Sequence, residues 1–234
     1  MKQIIAMGGG GFSMEPENQL LDQYILDQST SSNPKVCFLG TASGDAESYI
    51  ERYYKAFTSL PCKPFHLSVF KPTTRDLEGF LLDKDIIYVG GGNTKCMLAL
   101  WKEWGIDTIL KKAWDSGIIL AGLSAGSICW FEEGTTDSYG DGLETIKGLG
   151  LLKGSHSPHY DGEENRRPLY HSYIEKGKLK SGYAADDGAA LHFIDVELHN
   201  VVSSRKHALA YRVEKKDGAI QETPISTNYL GNPS

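Results

Sequence analysis

Ser124 lies in Gly122-Leu123-Ser124-Ala125-Gly126, a G-x-S-x-G pattern that follows the apolar run Gly117–Ala121. A serine on such a strand-to-helix turn can serve as a nucleophile. The glycines let strand and helix approach closely around a strained serine, and the helix start offers free N–H groups to a developing oxyanion. The bland counterpart is a tight crossing that happens to contain a serine. A nucleophilic serine also needs a base, and an acid that orients the base. The stretch Gly154–Pro168, GSHSPHYDGEENRRP, concentrates two histidines, three acids and two arginines. Such polar density in a turn-rich stretch favours a site over core packing. His159, after Pro158, is the stronger candidate base, and His156 is read as a surface histidine.

These residues need a scaffold that brings them together. Short apolar runs recur at Gln3–Met7, Lys35–Gly40, Phe65–Phe70, Ile86–Val89 and Gly117–Ala121, and all but the third end in a small-residue turn. Helix-length segments lie between them: Glu17–Gln28, Ala46–Leu60, Thr94–Trp104 and Ile106–Ser116. Alternation of this kind predicts parallel βαβ units in a doubly wound sheet, with ligands beyond the carboxyl ends of the strands. Three glycine-rich turns then converge on one edge, and one of them holds Ser124. Toward the C-terminus, AALHF, NVVSSR and ALAYRVEK read as short antiparallel or mixed strands, with KKDG as a hairpin turn. No repeat or linker divides the chain, so residues 1–234 are expected to form one domain.

Composition narrows the function. The chain has 234 residues, 40% hydrophobic and 23% charged, which is ordinary globular make-up. Its net charge of −6 argues against a nucleic-acid partner. The four cysteines are widely spaced, so no zinc site is expected, and reduced thiols in a cytoplasmic protein are. The N-terminal MKQIIAMGGGG is broken too early by glycine for a signal peptide, and no run spans a membrane. A nucleotide-binding module is the rival from another class. IIAMGGGGF resembles a dinucleotide turn, but it lacks the last glycine of G-x-G-x-x-G and an acid ending a second strand.

Four blocks, VGGGNT (Val89–Thr94), GLSAG (Gly122–Gly126), SPHYDGE (Ser157–Glu163) and ADDGAALHF (Ala185–Phe193), fall in the order seen in peptidase family S51. That family contains aspartyl dipeptidase (peptidase E) and cyanophycinase, and the chain is most similar to the peptidase E-like branch. The resemblance implies a flavodoxin-like α/β fold related to class I glutamine amidotransferases, and a Ser-His-Glu triad without metal or organic cofactor. Ser124 matches the nucleophile and His159 the histidine. The family's glutamate falls where this chain has Asp186 and Asp187. Asp186 aligns better by spacing; Asp137, Asp187 and Asp161 follow as alternatives. The oxyanion hole is expected from the N–H of Ala125 and of Gly91 or Gly92, and Asn93 either caps the next helix or binds substrate.

The resemblance further implies small peptides as substrates, with an acidic residue on the acyl side. Arg166 or Arg167 would hold its carboxylate; alternatively, the crowding of Tyr160, Asp161 and Glu163 reads as an acidic lip that selects an amino terminus or a basic side chain. The enzyme is expected to act as a monomer or homodimer. A catalytically altered relative that only binds peptides is the second alternative, raised by aspartate in place of glutamate.

Overall fold

The computed structural model describes residues 1–232. The first five strands are β1 (Gln3–Met7), β2 (Lys35–Leu39), β3 (Lys63–Leu67), β4 (Ile86–Val89) and β5 (Ile119–Leu123). They are parallel, in the spatial order β1-β5-β4-β2-β3. Helices α1 (Gly11–Met14), α2 (Leu20–Asp27), α3 (Glu47–Phe57), α4 (Leu77–Leu82), α5 (Thr94–Trp104) and α6 (Ile106–Asp115) connect them. Side chains alternate across the sheet. Ile5, Met7, Val36 and Phe38 therefore pack with Phe12, Ile25, Tyr53 and Phe57 on one face. Ile4, Ala6, Cys37 and Leu39 pack with Leu81, Trp101 and Leu110 on the other. The expected runs become strands, with β3 shifted to Lys63–Leu67 and β5 to Ile119–Leu123.

After β5 a single-turn helix, α7 (Ala125–Ile128), leads into a second sheet that the sequence reading did not foresee. Its strands are β6 (Phe131–Thr136), β7 (Glu144–Lys147), β8 (Leu152–Ser157) and β9 (Gly182–Ala185), and α8 (Arg166–Glu175) lies between the last two. The chain then returns to the first sheet. There β10 (Ala189–Ile194) runs antiparallel to β1, and β11 (Glu197–Ser203) runs antiparallel to β10. The hairpin β12 (Ala210–Lys216) and β13 (Ala219–Ile225) completes the second sheet, and β14 (Asn228–Tyr229) pairs with β11. Asp217 and Gly218 turn the hairpin with φ of 53° and 85°, the paired positive angles that the KKDG reading requires. Phe131, Leu152, Ala185 and Ala210 of the second sheet join the same core as Ile4 and Leu120 of the first.

Candidate active site

Ser124 joins β5 to α7 with φ 55° and ψ −118°, a conformation that costs a non-glycine residue of order 1–3 kcal/mol. The surroundings hold it there. Its N–H donates to the Met7 carbonyl at 3.3 Å, and its carbonyl accepts from the N–H groups of Ser127 and Ile128, each at 2.9 Å. Gly126 must be glycine, because a Cβ there would overlap the Val89 carbonyl of the neighbouring strand. His156 is not the surface histidine expected. It is buried, stacks on Phe131, and sets Nε2 3.0 Å from the Ser127 hydroxyl beneath the turn. Burial pushes its imidazole down to about 3, so it stays neutral.

His159 follows β8, also with a positive φ of 52°. Its N–H donates to the Gly8 carbonyl at 3.2 Å, and its Nδ1 lies 2.6 Å from Oδ1 of Asp187. Nε2 is thereby left for the cleft. The partner is thus Asp187, and the preference for Asp186 is corrected. Consecutive residues of the β9–β10 turn face opposite ways. The Asp186 carboxylate accepts the Leu209 N–H at 2.9 Å, which fastens the approach to β12. Asp161, a further alternative, receives the Asp187 N–H at 2.8 Å and so steadies the acid rather than the histidine. Asp137 lines the cleft and makes no hydrogen bond to His159 among the described residues. Burial raises the Asp187 carboxyl, but the bond to His159 and the charges of His159, Arg205 and Arg166 outweigh it, so it titrates below the ordinary range. Burial lifts Asp186 instead, to about 6.

The turn after β1 has a purpose that the dinucleotide reading missed. Gly9 bridges to Asp187 and its carbonyl accepts the Gly188 N–H at 3.1 Å, while a Cβ on Gly9 would overlap the Asp187 carboxylate. These glycines admit the acid turn. Their signal in the sequence was composition alone, because their partner lies about 180 residues away.

Ser124 and His159 share an open cleft of about 340 Å³ with Gly92, Asn93, Asp137, Ser138, Glu163 and Arg166. Of the two arginines, Arg166 is the one that enters. It is buried, donates through Nε to Glu163 at 2.8 Å, and points Nη1 at the Thr135 carbonyl. Arg167 turns away to Glu222 and lies over the rings of Tyr160 and Tyr211. Tyr160 does not form a lip either. It is packed among Tyr170 and Tyr211, with its hydroxyl on Glu222. Gly91 is removed from the oxyanion pair, since its N–H donates to the Tyr49 hydroxyl at 3.2 Å. Gly92 lines the cleft. Ala125, the first residue of α7, points an N–H past the serine with no helical carbonyl to receive it. Asn93 does cap α5, accepting from Cys96 N–H, while its amide donates to the Ser138 carbonyl and straps the Asp137–Ser138 loop over the cleft. No group of three or more His, Cys, Asp or Glu among the described residues is placed to hold a metal. Among the described residues no helix is long and apolar enough to cross a membrane.

The first sheet is a flavodoxin-like α/β sheet of the class I glutamine amidotransferase type, with the serine turn at its carboxyl edge. The model of peptidase family S51 matches residues 4–201, and the chain belongs to that family of peptidases. It is 61% identical over 231 residues to the uncharacterized peptidase YgaJ of Bacillus subtilis strain 168, covering 99% of this chain and all of that one. It is 28% identical over 142 residues to the uncharacterized peptidase Lmo0363 of Listeria monocytogenes, covering 57% of this chain and 69% of that one. Among solved structures, a peptidase from an acI-B1 actinobacterium superposes with TM-score 0.63 at 18% identity, over 97% of each chain. A candidate peptidase E from L. monocytogenes EGD-e superposes with TM-score 0.56 at 18% identity, over 97% of this chain and 100% of that one.

Proposed function

We propose that this peptidase is a serine exopeptidase that hydrolyses dipeptides with an N-terminal aspartate through an acyl-enzyme on Ser124. One observation carries the reading: a serine held at φ 55° shares a cleft with a histidine whose far nitrogen is bonded to a carboxylate. Ser124 Oγ attacks the scissile carbonyl while His159 Nε2 takes its proton. Asp187 keeps Nδ1 protonated and stabilises the imidazolium. The N–H groups of Ala125 and Gly92 donate to the oxyanion. The imidazolium then protonates the leaving amine. Water, deprotonated by the same nitrogen, attacks the acyl ester and frees both the acid and Ser124. None of these steps calls for a metal or organic cofactor.

Charge around the cleft supports the acyl-side preference. Arg166, steadied by its ion pair with Glu163, offers its remaining guanidinium N–H groups to the substrate's β-carboxylate, and Asp137 faces the same space for its α-ammonium. The enzyme works as one domain in the cytoplasm, as monomer or homodimer. A panel of Asp-Leu, isoAsp-Leu and Ala-Leu tests the substrate class. Turnover of Asp-Leu at least tenfold faster than Ala-Leu is expected, and Arg166→Ala should erase the difference; equal rates would sink the arginine–carboxylate reading. A serine-directed phosphonate should label the protein at Ser124. Absence of labelling in well-folded protein would favour the peptide-binding alternative.

A further inference from the structure

Glu222 lies on β13, beyond the residues matched by the family model. Alternation puts it on the same face of the edge strand as Ile220, which packs into the tyrosine cluster beneath α8. An inward position of this kind ordinarily takes an apolar side chain. Here its carboxylate receives four donor atoms from three side chains. Tyr160 Oη lies at 2.6 Å, His171 Nε2 at 2.8 Å and Arg167 Nε at 3.1 Å, and Arg167 Nη2 closes the second arm of a forked pair. The partners matter because of their neighbours in the chain. Tyr160 directly follows His159, and its own N–H is tied to the Ala185 carbonyl at 3.1 Å. Arg167 directly follows Arg166. One carboxylate thus grips the residue next to the base and the residue next to the cleft arginine.

We propose that Glu222 is a positioning residue for the site: through Tyr160 it fixes the strained backbone of His159, and through Arg167 it commits Arg166 to the cleft. This rests on the serine-peptidase reading above. The two arms are separable, since Tyr160 needs only an acceptor whereas the Arg167 fork needs both charged oxygens. Glu222 would then set rate and substrate preference from outside the cleft, without touching substrate.

Three variants test this: Glu222→Ala, Glu222→Gln and Tyr160→Phe, each compared with wild type in phosphonate labelling rate and in the Asp-Leu to Ala-Leu ratio of kcat/KM. Glu222→Ala should lower the labelling rate at least tenfold and reduce the Asp/Ala ratio at least tenfold. Glu222→Gln keeps an acceptor for Tyr160 and should label within about threefold of wild type, yet lose the ratio as Glu222→Ala does. Tyr160→Phe should slow labelling and keep the ratio, and it decides the first arm even if Glu222→Ala does not fold. Wild-type labelling and an unchanged ratio in folded Glu222→Ala, with only its melting temperature lowered, would overturn the proposal. The imidazole NMR signals of His159 give a readout independent of labelling. If wild type fails to label, the serine reading falls; displaced His159 signals in Glu222→Ala still support the positioning role, and unmoved signals overturn it.

Discussion

The two sheets approach the cleft by different constructions. The first holds Ser124 on the end of β5, with parallel strands on both sides and apolar packing on both faces. The second brings His159 on the loop after β8 and Arg166 on the first turn of α8, and its interior is partly polar. There the Thr135 hydroxyl meets Ser157 at 2.8 Å, and the Ser155 hydroxyl meets Tyr170 at 2.7 Å. Asp187 sits at the seam, where the chain leaves β9 of the second sheet for β10 of the first. A residue placed by a rigid sheet end, as Ser124 is, has its strain held by many bonds. A residue placed by a loop, as His159 is, depends on a few named contacts, and so each contact should be separately measurable.

Ser124→Ala gives the largest contrast, a fall in kcat/KM of about 10⁴-fold or more with the cleft otherwise intact. Ser124→Gly should be equally inactive but melt higher than wild type, because glycine relieves about 1 kcal/mol of strain at positive φ. A lower melting temperature would show that the turn is not strained. At the seam, Asp187→Asn should cost about 10³- to 10⁴-fold in kcat, whereas Asp186→Asn should cost less than about tenfold. Reversed sizes would restore Asp186 as the acid. Gly9→Ala pushes a Cβ against Asp187 and should lower kcat about 10²-fold, as expected for a displacement of about 1 Å, with little change in far-UV circular dichroism.

The smallest effect is on pH-dependent stability. Asp186 binds its proton more tightly folded than unfolded, with a folded value of about 6 against 3.8. Its ionisation therefore draws stability down as pH rises from about 4 to 6. Asp186→Asn abolishes that slope and should gain on wild type by on the order of 1 kcal/mol between pH 4 and 7 in denaturant titrations. Asp187 acts oppositely: its contribution is present above the ordinary carboxylate range and is lost as pH falls through its lowered folded value.

This division also explains what could be read from the sequence. The first sheet was legible because strands buried on both faces must be continuously apolar, as IIYV and VCFL are. The second was hidden because FEEGTT and LKGSHS satisfy their interior with hydroxyls and a histidine, leaving no apolar period to detect. The stretch Gly154–Pro168, read as turn-rich, is half structured: β8 runs to Ser157, and α8 begins at Arg166 with Pro168 in its first turn, where no helical N–H is needed. Ser124, His159 and the arginine pair were visible by residue type and motif. The choice between Asp186 and Asp187, and between Arg166 and Arg167, was not. In each case the decision lies with distant partners, Leu209 and Asp161 for the acids and Glu222 for the arginines.

The position of β1 has a consequence for biosynthesis. Strand β1 is central in the finished sheet, between β5 and β10, and its following glycines clasp the turn that bears Asp187. Pairing of such high contact order cannot form until residues 187–194 have been translated and released from the exit tunnel. A nascent chain shorter than that carries the serine and the histidine but no acid behind them. The His159–Asp187 bond, on which the proposed chemistry rests, is therefore completed late in synthesis.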